Sequence, residues 1–258
     1  MTPLITIAIP IYNTARFLPA ALDSLIAQKY VHWEALLWDD GSTDGSGEVA
    51  ADYARRDQRF RVLGNGRNNG VSFGSSAALA EARGDYVAVL DSDDMLEPDA
   101  LSSMLAFMQE RPQLGMAYSQ YVEVDEDGTF LTTGTRFLKP YSSHNLMVDF
   151  MTYQFRLVRA DAYRAVGGID AGMPVAYDYE LCLRLSERFD VGYLPKPLYR
   201  YRMRQDSISH ASRLRQVRAS FDAAQRSLQR RGLQGQYALS LGVRARHVLQ
   251  PKQQDAEA

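Results

Sequence analysis

Three aspartates, Asp91, Asp93 and Asp94, close the mostly apolar run YVAVL in the stretch YVAVLDSDDML. Crowded carboxylates repel one another, and burial sharpens the repulsion. Two arrangements relieve it. The turn can be solvated, or the acids can share a hard divalent cation, whose oxygen ligands often include the phosphates of a substrate. Other polar groups follow apolar runs in the same way: Tyr12 and Asn13 after ITIAIPI, and Asp39 and Asp40 after WEALLW. Asp40, Ser42 and Asp44 in DDGSTDGS also suit turns and helix caps, and Asp178 in YDYELCLRL suits a helix N-cap.

The elements that must position these groups can be read from periodicity. ITIAIPIYN is short and β-branched, so it predicts a strand ending near Pro10. Phe17, Leu18, Ala21, Leu22, Leu25 and Ile26 recur at helical spacing. WEALLWDD, FRVLGN and YVAVLDSDD predict strands, and GEVAADYARRD, GVSFGSSAALAEARGD and PDALSSMLAFMQERP predict helices. Residues 4–111 thus alternate β and α four times, which implies a largely parallel sheet covered by helices. In such sheets ligands bind beyond the carboxyl ends of the strands, where Tyr12, Asn13, Asp39, Asp40, Asp91, Asp93 and Asp94 fall. Beyond residue 111 the pattern is mixed α+β. MAYSQYVEVDEDGTF predicts a strand and a hairpin turn at Asp127-Gly128, YDYELCLRLSERF a helix, and DVGYLPKPLYRYRM a further strand.

The chain has 258 residues, 46% hydrophobic and 23% charged, with a formal net charge of −2. That is ordinary for a soluble α/β protein and implies no global attraction to nucleic acid. The single cysteine, Cys182, excludes an internal disulfide and reads as a small core residue. The N-terminal stretch lacks a basic n-region, and no apolar run reaches about 18 residues, so neither a signal peptide nor a spanning helix is expected. The remaining histidines lack zinc-ligand spacing; His210 in SISH reads as a phosphate or acceptor contact or as a polar loop residue.

Several motifs in this order and spacing resemble family 2 glycosyltransferases: IPIYN, DDGSTDGS, NNGVS, ARGDYVAVLDSDD, EPDAL, VGGID, YDYELCLRL and LYRYRMRQDSISH. The resemblance covers about residues 4–210. It implies a Rossmann-like GT-A fold, with residues 1–111 as the nucleotide-sugar half, 112–205 as the acceptor half, 206–250 as a helical extension and 251–258 as a disordered tail. It implies that DSDD is the metal motif, with Asp94 reaching a divalent cation (Mn²⁺ or Mg²⁺) and Asp93 facing both the ion and the donor. Asp91 would lie further back. Tyr12 would stack on the base, with Pro10 and Asn13 beside it, and Asp40 would accept a hydrogen bond from the base. A carboxylate only accepts, which favours a ring N–H such as that of uracil. Arg202, among the late arginines, would attract the diphosphate. Asp178 would be the catalytic base of an inverting transfer, with Glu180 as the fallback.

Two departures stand out against the resemblance. Tyr177 occupies the first position of a usual Glu-Asp pair, and Ser75 and Ser76 stand where an arginine and an asparagine are usual. The expected partners are a nucleotide-sugar donor, UDP-linked by preference, and a saccharide or lipid-linked saccharide acceptor in surface polysaccharide or glycolipid assembly. The expected location is cytoplasmic. Arg213, Arg215, Arg218, Arg226, Arg230 and Arg231 surround the stripe Leu214, Val217, Phe221 and Leu228. This amphipathic pattern reads as a solvated face, as a partner-helix surface, or as a peripheral contact with the inner face of a membrane. A sugar nucleotidyltransferase or a dehydrogenase would need a glycine-rich loop after the first strand, where this chain has YNTARFL. A weakly catalytic binding module is the third alternative.

Overall fold

The structure, a computed structural model, describes residues 2–204 and 213–242. Its centre is a nine-stranded sheet. β1 (Ile5–Ile11), β2 (Trp33–Asp39), β3 (Phe60–Gly64) and β4 (Tyr86–Val89) run parallel in the spatial order β3-β2-β1-β4. Every residue of β1 is buried, as expected for a central parallel strand covered on both faces. The connecting helices are α1 (Leu18–Ile26), α2 (Ser46–Arg56) and α3 (Val71–Ala80). In α1 the buried residues Leu18, Ala21, Leu22 and Leu25 follow the helical repeat. Each buried leucine there contributes about 2 kcal/mol.

The expected alternation through residue 111 stands with one addition. After β4 the chain forms the two-residue strand β5 (Met95–Leu96) before α4 (Ala100–Gln109). β5 pairs antiparallel with β9 (Asp190–Arg202), far along the chain. The remaining strands extend the same sheet. β8 (Arg156–Arg159) lies antiparallel between β4 and β6 (Leu114–Val124), and β9 runs parallel to β6 on its other side. β7 (Phe130–Thr133) returns beside β6 as the expected hairpin, with Asp125 Oδ1 accepting from the N–H groups of Asp127 and Thr129. The second half of the chain therefore builds onto the edge of the first half's sheet.

The outer layer includes the short helices α5 (Ser143–Leu146) and α6 (Ala160–Ala165), then α7 (Tyr177–Arg188) and α8 (Arg213–Arg230). α8 packs on α7, with Ser227 and Arg230 bonded to Glu187, and its Ala223, Ala224 and Leu228 are buried. The apolar stripe expected along α8 is covered only in its later half. Leu214 is 86% exposed and Val217 is exposed as well. Arg230 and Arg231 are structural, bonded to Glu187 and to Ser186 and Ser227. Cys182 is buried in the core, as expected. No helix among the described residues is long and apolar enough to cross a membrane.

Candidate active site

Because β1, β2 and β4 are parallel and in register, their carboxyl ends share one edge. A cleft of about 1230 Å³ opens there. A single small-molecule site commonly occupies on the order of 300–1,000 Å³, so there is room for two ligands. Pro10, Tyr12, Asn13, Asp40, Asp91, Asp93, Asp94, Asp178 and Arg202 all line it. Both non-glycine residues with left-handed backbone among the described residues, Asn13 (φ 51°) and Ala176 (φ 58°), line it too. Such conformations cost about 1–3 kcal/mol and concentrate at functional sites.

The strand-end loops are held by side chains that accept backbone N–H groups. Asp40 is buried, and its carboxylate accepts from the N–H of Asn69 at 3.0 Å and of Gly70 at 2.7 Å. Gly70 has φ +92°, a conformation that glycine adopts without strain, and it leads directly into α3. Asn13 Oδ1 accepts from the Thr43 N–H at 2.8 Å, while Ser42 Oγ accepts from the Asn13 N–H. Asp44 accepts from Ala15 N–H and from both the N–H and the hydroxyl of Ser46 at the start of α2; Gly45 is the N-cap of that helix, so Asp44 braces the turn just before it. These bonds hold the Asp44 carboxyl below its ordinary range, although burial opposes them. Tyr12, at 47% exposure, presents its ring to the cleft.

The acid turn after β4 is anchored from β9. Asp94 is 1% exposed; its Oδ2 accepts from the Tyr199 hydroxyl at 2.7 Å and its Oδ1 from the Arg202 N–H at 2.7 Å. Asp93 pairs with Arg204 at 2.8 Å. Burial, then Asp93 and Asp91, push the Asp94 carboxyl well up, against the Arg202 and Tyr199 bonds. Burial, Asp93 and Asp178 do the same to Asp91, opposed by Arg156 and Gln154. Negative charge is thus in excess at this turn. Among the described residues no group of three or more His, Cys, Asp or Glu side chains is arranged to hold a metal. Asp93 and Asp94 both line the cleft, and one or two carboxylates are the protein share that Mg²⁺-type sites commonly take when phosphates supply the rest. The donor set fits such a cation.

Three sequence expectations are corrected here. Arg202 does not present its guanidinium to a diphosphate. Its Nε donates to the Asp93 carbonyl at 2.7 Å, and its Nη1 donates to the carbonyls of Asp125 and Glu126. It ties the acid turn to the β6–β7 hairpin. Glu180 does not reach the cleft either. It is 4% exposed and held by Arg184 at 2.7–2.9 Å, with Arg230 at 3.6 Å. Arg184 also donates to the carbonyls of Val166 and Gly168, so this cluster docks α7 onto the turn after α6. Asp178, finally, is not the N-cap of α7. Ala176 holds that position, and Asp178 lies in the first turn, where a carboxylate favours the positive end of the helix dipole. The Asp178 carboxylate accepts from Arg156 Nη2 at 3.3 Å and lies on the cleft wall.

The positions that depart from the family pattern meet one another. Tyr177 lies against Ser75, while Ser76 and Ser72 donate to the carbonyls of Ile169 and Ala171. The serine face of α3 therefore receives the segment that leads into α7. Sequence reasoning missed Tyr199, Gln154 and Arg156, which surround the acids with Arg204. Arg204 is one of the late arginines expected to attract the diphosphate, and Tyr199 lies unread in the same motif, LYRYRMR. His210 lies outside the described residues.

The profile described as "Glycosyl transferase family 2" matches residues 6–167, more than half of the chain. The chain belongs to glycosyl transferase family 2. The family 2 chain is 31% identical over 231 residues to the hyaluronan synthase of Pasteurella multocida, covering 90% of this chain and 24% of that one. It is 28% identical to the chondroitin synthase of Escherichia coli, covering 90% of this chain and 33% of that one. It therefore spans about a quarter to a third of the length of these relatives. Among solved structures it is similar to S. aureus TarS 1-349 in complex with UDP, with a TM-score of 0.68 at 17% identity over 88% of this chain and 70% of that one. It is also similar to the mannosyltransferase PcManGT of Pyrobaculum calidifontis, in complex with GDP-Man and Mn²⁺, with a TM-score of 0.61 at 14% identity over 93% of this chain and 77% of that one. The fold is GT-A, as the family resemblance implied.

Proposed function

We propose that this family 2 chain transfers a sugar from a nucleoside-diphosphate sugar, UDP-linked by preference, to a saccharide hydroxyl with inversion at the anomeric carbon. The observation that carries this is the meeting of two acid sets in one cleft. Asp178 enters from α7 in the second half of the chain, and the Asp91–Asp94 turn faces it from the first half. The relatives named for hyaluronan and chondroitin synthesis support a polysaccharide acceptor. The TarS complex with UDP supports the donor class.

In this assignment Asp178 accepts the proton of the acceptor hydroxyl, and the oxygen forms its new bond to the anomeric carbon. The bond from that carbon to the diphosphate oxygen breaks, and its electron pair leaves with the nucleotide. Arg156 orients the Asp178 carboxylate. Tyr12 stacks on the base. Asp40 fixes the Asn69–Gly70 backbone beside the base and also accepts from Trp38 Nε1 at 3.4 Å, so it acts on base choice through this loop. A divalent cation, Mn²⁺ or Mg²⁺, held by Asp94 and Asp93 would offset the charge of the leaving diphosphate. Peripheral membrane contact would use the exposed Leu214 and Val217 with Arg215 and Arg218 on α8. The test is calorimetry of UDP with Mn²⁺ and with chelator, joined to release of UDP from UDP-sugars. Cation-dependent binding with turnover is expected; binding without any turnover would reduce the chain to a binding module.

A further inference from the structure

We infer that the acceptor carries an acidic group, a carboxylate or a phosphate, which Arg136 reads above an aromatic floor; this rests on the glycosyl-transfer assignment. Arg136 lies in the 3₁₀ turn Arg136–Leu138 after β7, exposed, and it lines the cleft. Its guanidinium carbon is 4.4 Å from the centre of the Tyr153 ring and 6.0 Å from that of Phe150. The floor is continuous. Tyr153 meets Phe150, Tyr121 and Tyr201, with ring centres 5.8, 5.0 and 5.5 Å away.

The other arginines around the cleft acids are committed. Arg156 pairs with Asp178, Arg204 with Asp93, and Arg202 is bonded to carbonyls. Arg136 has ring contacts but forms no ion pair among the described residues. A guanidinium stacked on a ring still has N–H donors around its edge, in a fork that matches a carboxylate or a phosphate. Rings and charge together suit a sugar that packs its apolar face against the cleft edge of these rings, beside Arg136 rather than on the Tyr153 face that it covers, and turns its acid to Arg136.

A second observation fixes the other side of that sugar. Gln154, the residue after Tyr153, is 5% exposed and lines the cleft. Its Nε2 lies 3.5 Å from Asp91 Oδ2, while its buried Oε1 has no hydrogen-bond partner. A buried acceptor left without a donor is costly, and a sugar hydroxyl would satisfy it. Glu123 lines the same end of the cleft and can only accept, so it suits a second hydroxyl. The acceptor sugar would thus lie between the acid turn, which faces the reaction, and Arg136, which faces the rest of the glycan.

The experiment uses the full chain with UDP present. Three acceptor probes are titrated and assayed for transfer: a glucuronate-terminated tetrasaccharide, its carboxyl-reduced counterpart, and an oligosaccharide ending in glycerol phosphate. At least one acidic probe should bind about tenfold or more tighter than the reduced one. The carboxylate and phosphate arms show which acid is meant. Arg136→Gln should remove the preference, Arg136→Lys should keep part of it, and neither should change UDP affinity. Equal binding of acidic and reduced probes overturns the proposal, as does failure of all three while UDP still binds. If Arg136→Gln weakens every probe alike and lowers the melting temperature, the arginine only braces the rings, and the proposal is also overturned. Loss of UDP binding by the unaltered chain would instead sink the glycosyl-transfer assignment itself.

Discussion

At the end of the cleft that we assign to the donor, carboxylates face the backbone: Asp40 receives Asn69 and Gly70, Asp39 receives Ser42, and Asp44 receives Ala15 and Ser46. At the end assigned to the acceptor, rings face rings, and Arg136 lies across them. The first end is shaped by hydrogen bonds to main chain, so a changed side chain there moves a loop. The second is shaped by side-chain packing, so a changed side chain there alters what is recognised and leaves the backbone in place. A nucleotide is constant chemistry and suits the first construction. An acceptor varies and suits the second.

The sharpest test of that division lies on one helix. Asp178→Asn should lower turnover by about 10²–10⁴-fold, because an amide cannot take the acceptor's proton. UDP affinity should stay near normal, since Asp178 is not tied to the donor loops; steady-state kinetics beside calorimetry would show both. Near-normal turnover would move the base elsewhere in the cleft. Glu180→Gln should do the opposite. It leaves Arg184 buried without its carboxylate, which costs about 3–5 kcal/mol in stability. Urea unfolding should show the loss while turnover per folded molecule holds.

A smaller effect is expected at Asp40. In Asp40→Asn the new NH₂ group faces N–H donors of Asn69 and Gly70, and each unmet donor costs about 1–3 kcal/mol. UDP and CDP should weaken together if Asp40 acts through the loop; a gain of CDP relative to UDP in a calorimetric comparison would show a direct contact with the base. The smallest effect belongs to Tyr12→Ala. Losing one base–aromatic stack should weaken UDP by about 1 kcal/mol, roughly fivefold, with no change in unfolding midpoint.

The first half of the fold was legible because its signals are local. Apolar runs alternate with helical stripes, and DDGSTDGS and DSDD mark the strand ends. The second half depends on long-range pairing. Nothing local marks Met95–Leu96 as a strand, because its partner lies about a hundred residues onward on β9. Arg202 read as a phosphate ligand because its charge is visible in the sequence, whereas the three carbonyls that it serves are not. The case of Glu180 is different. Residues two apart on a helix lie about 200° around the axis from each other, so Asp178 and Glu180 cannot both face one cleft. That information was in the sequence, and the family's acid pattern masked it.

The bond from Tyr199 to Asp94 has a consequence for modularity. Tyr199 and Arg202 belong to the last strand of the sheet, yet they anchor the acid at the tip of the first half. A fragment ending at residue 111 would contain all four parallel strands and every strand-end acid, but Asp94 would have lost both of its donors. Such a fragment is expected to be a poor nucleotide binder even if it folds. Fusion, splitting or recombination of this chain with a relative must carry β9 together with the DSDD turn, as one inherited unit interrupted by about a hundred residues of chain.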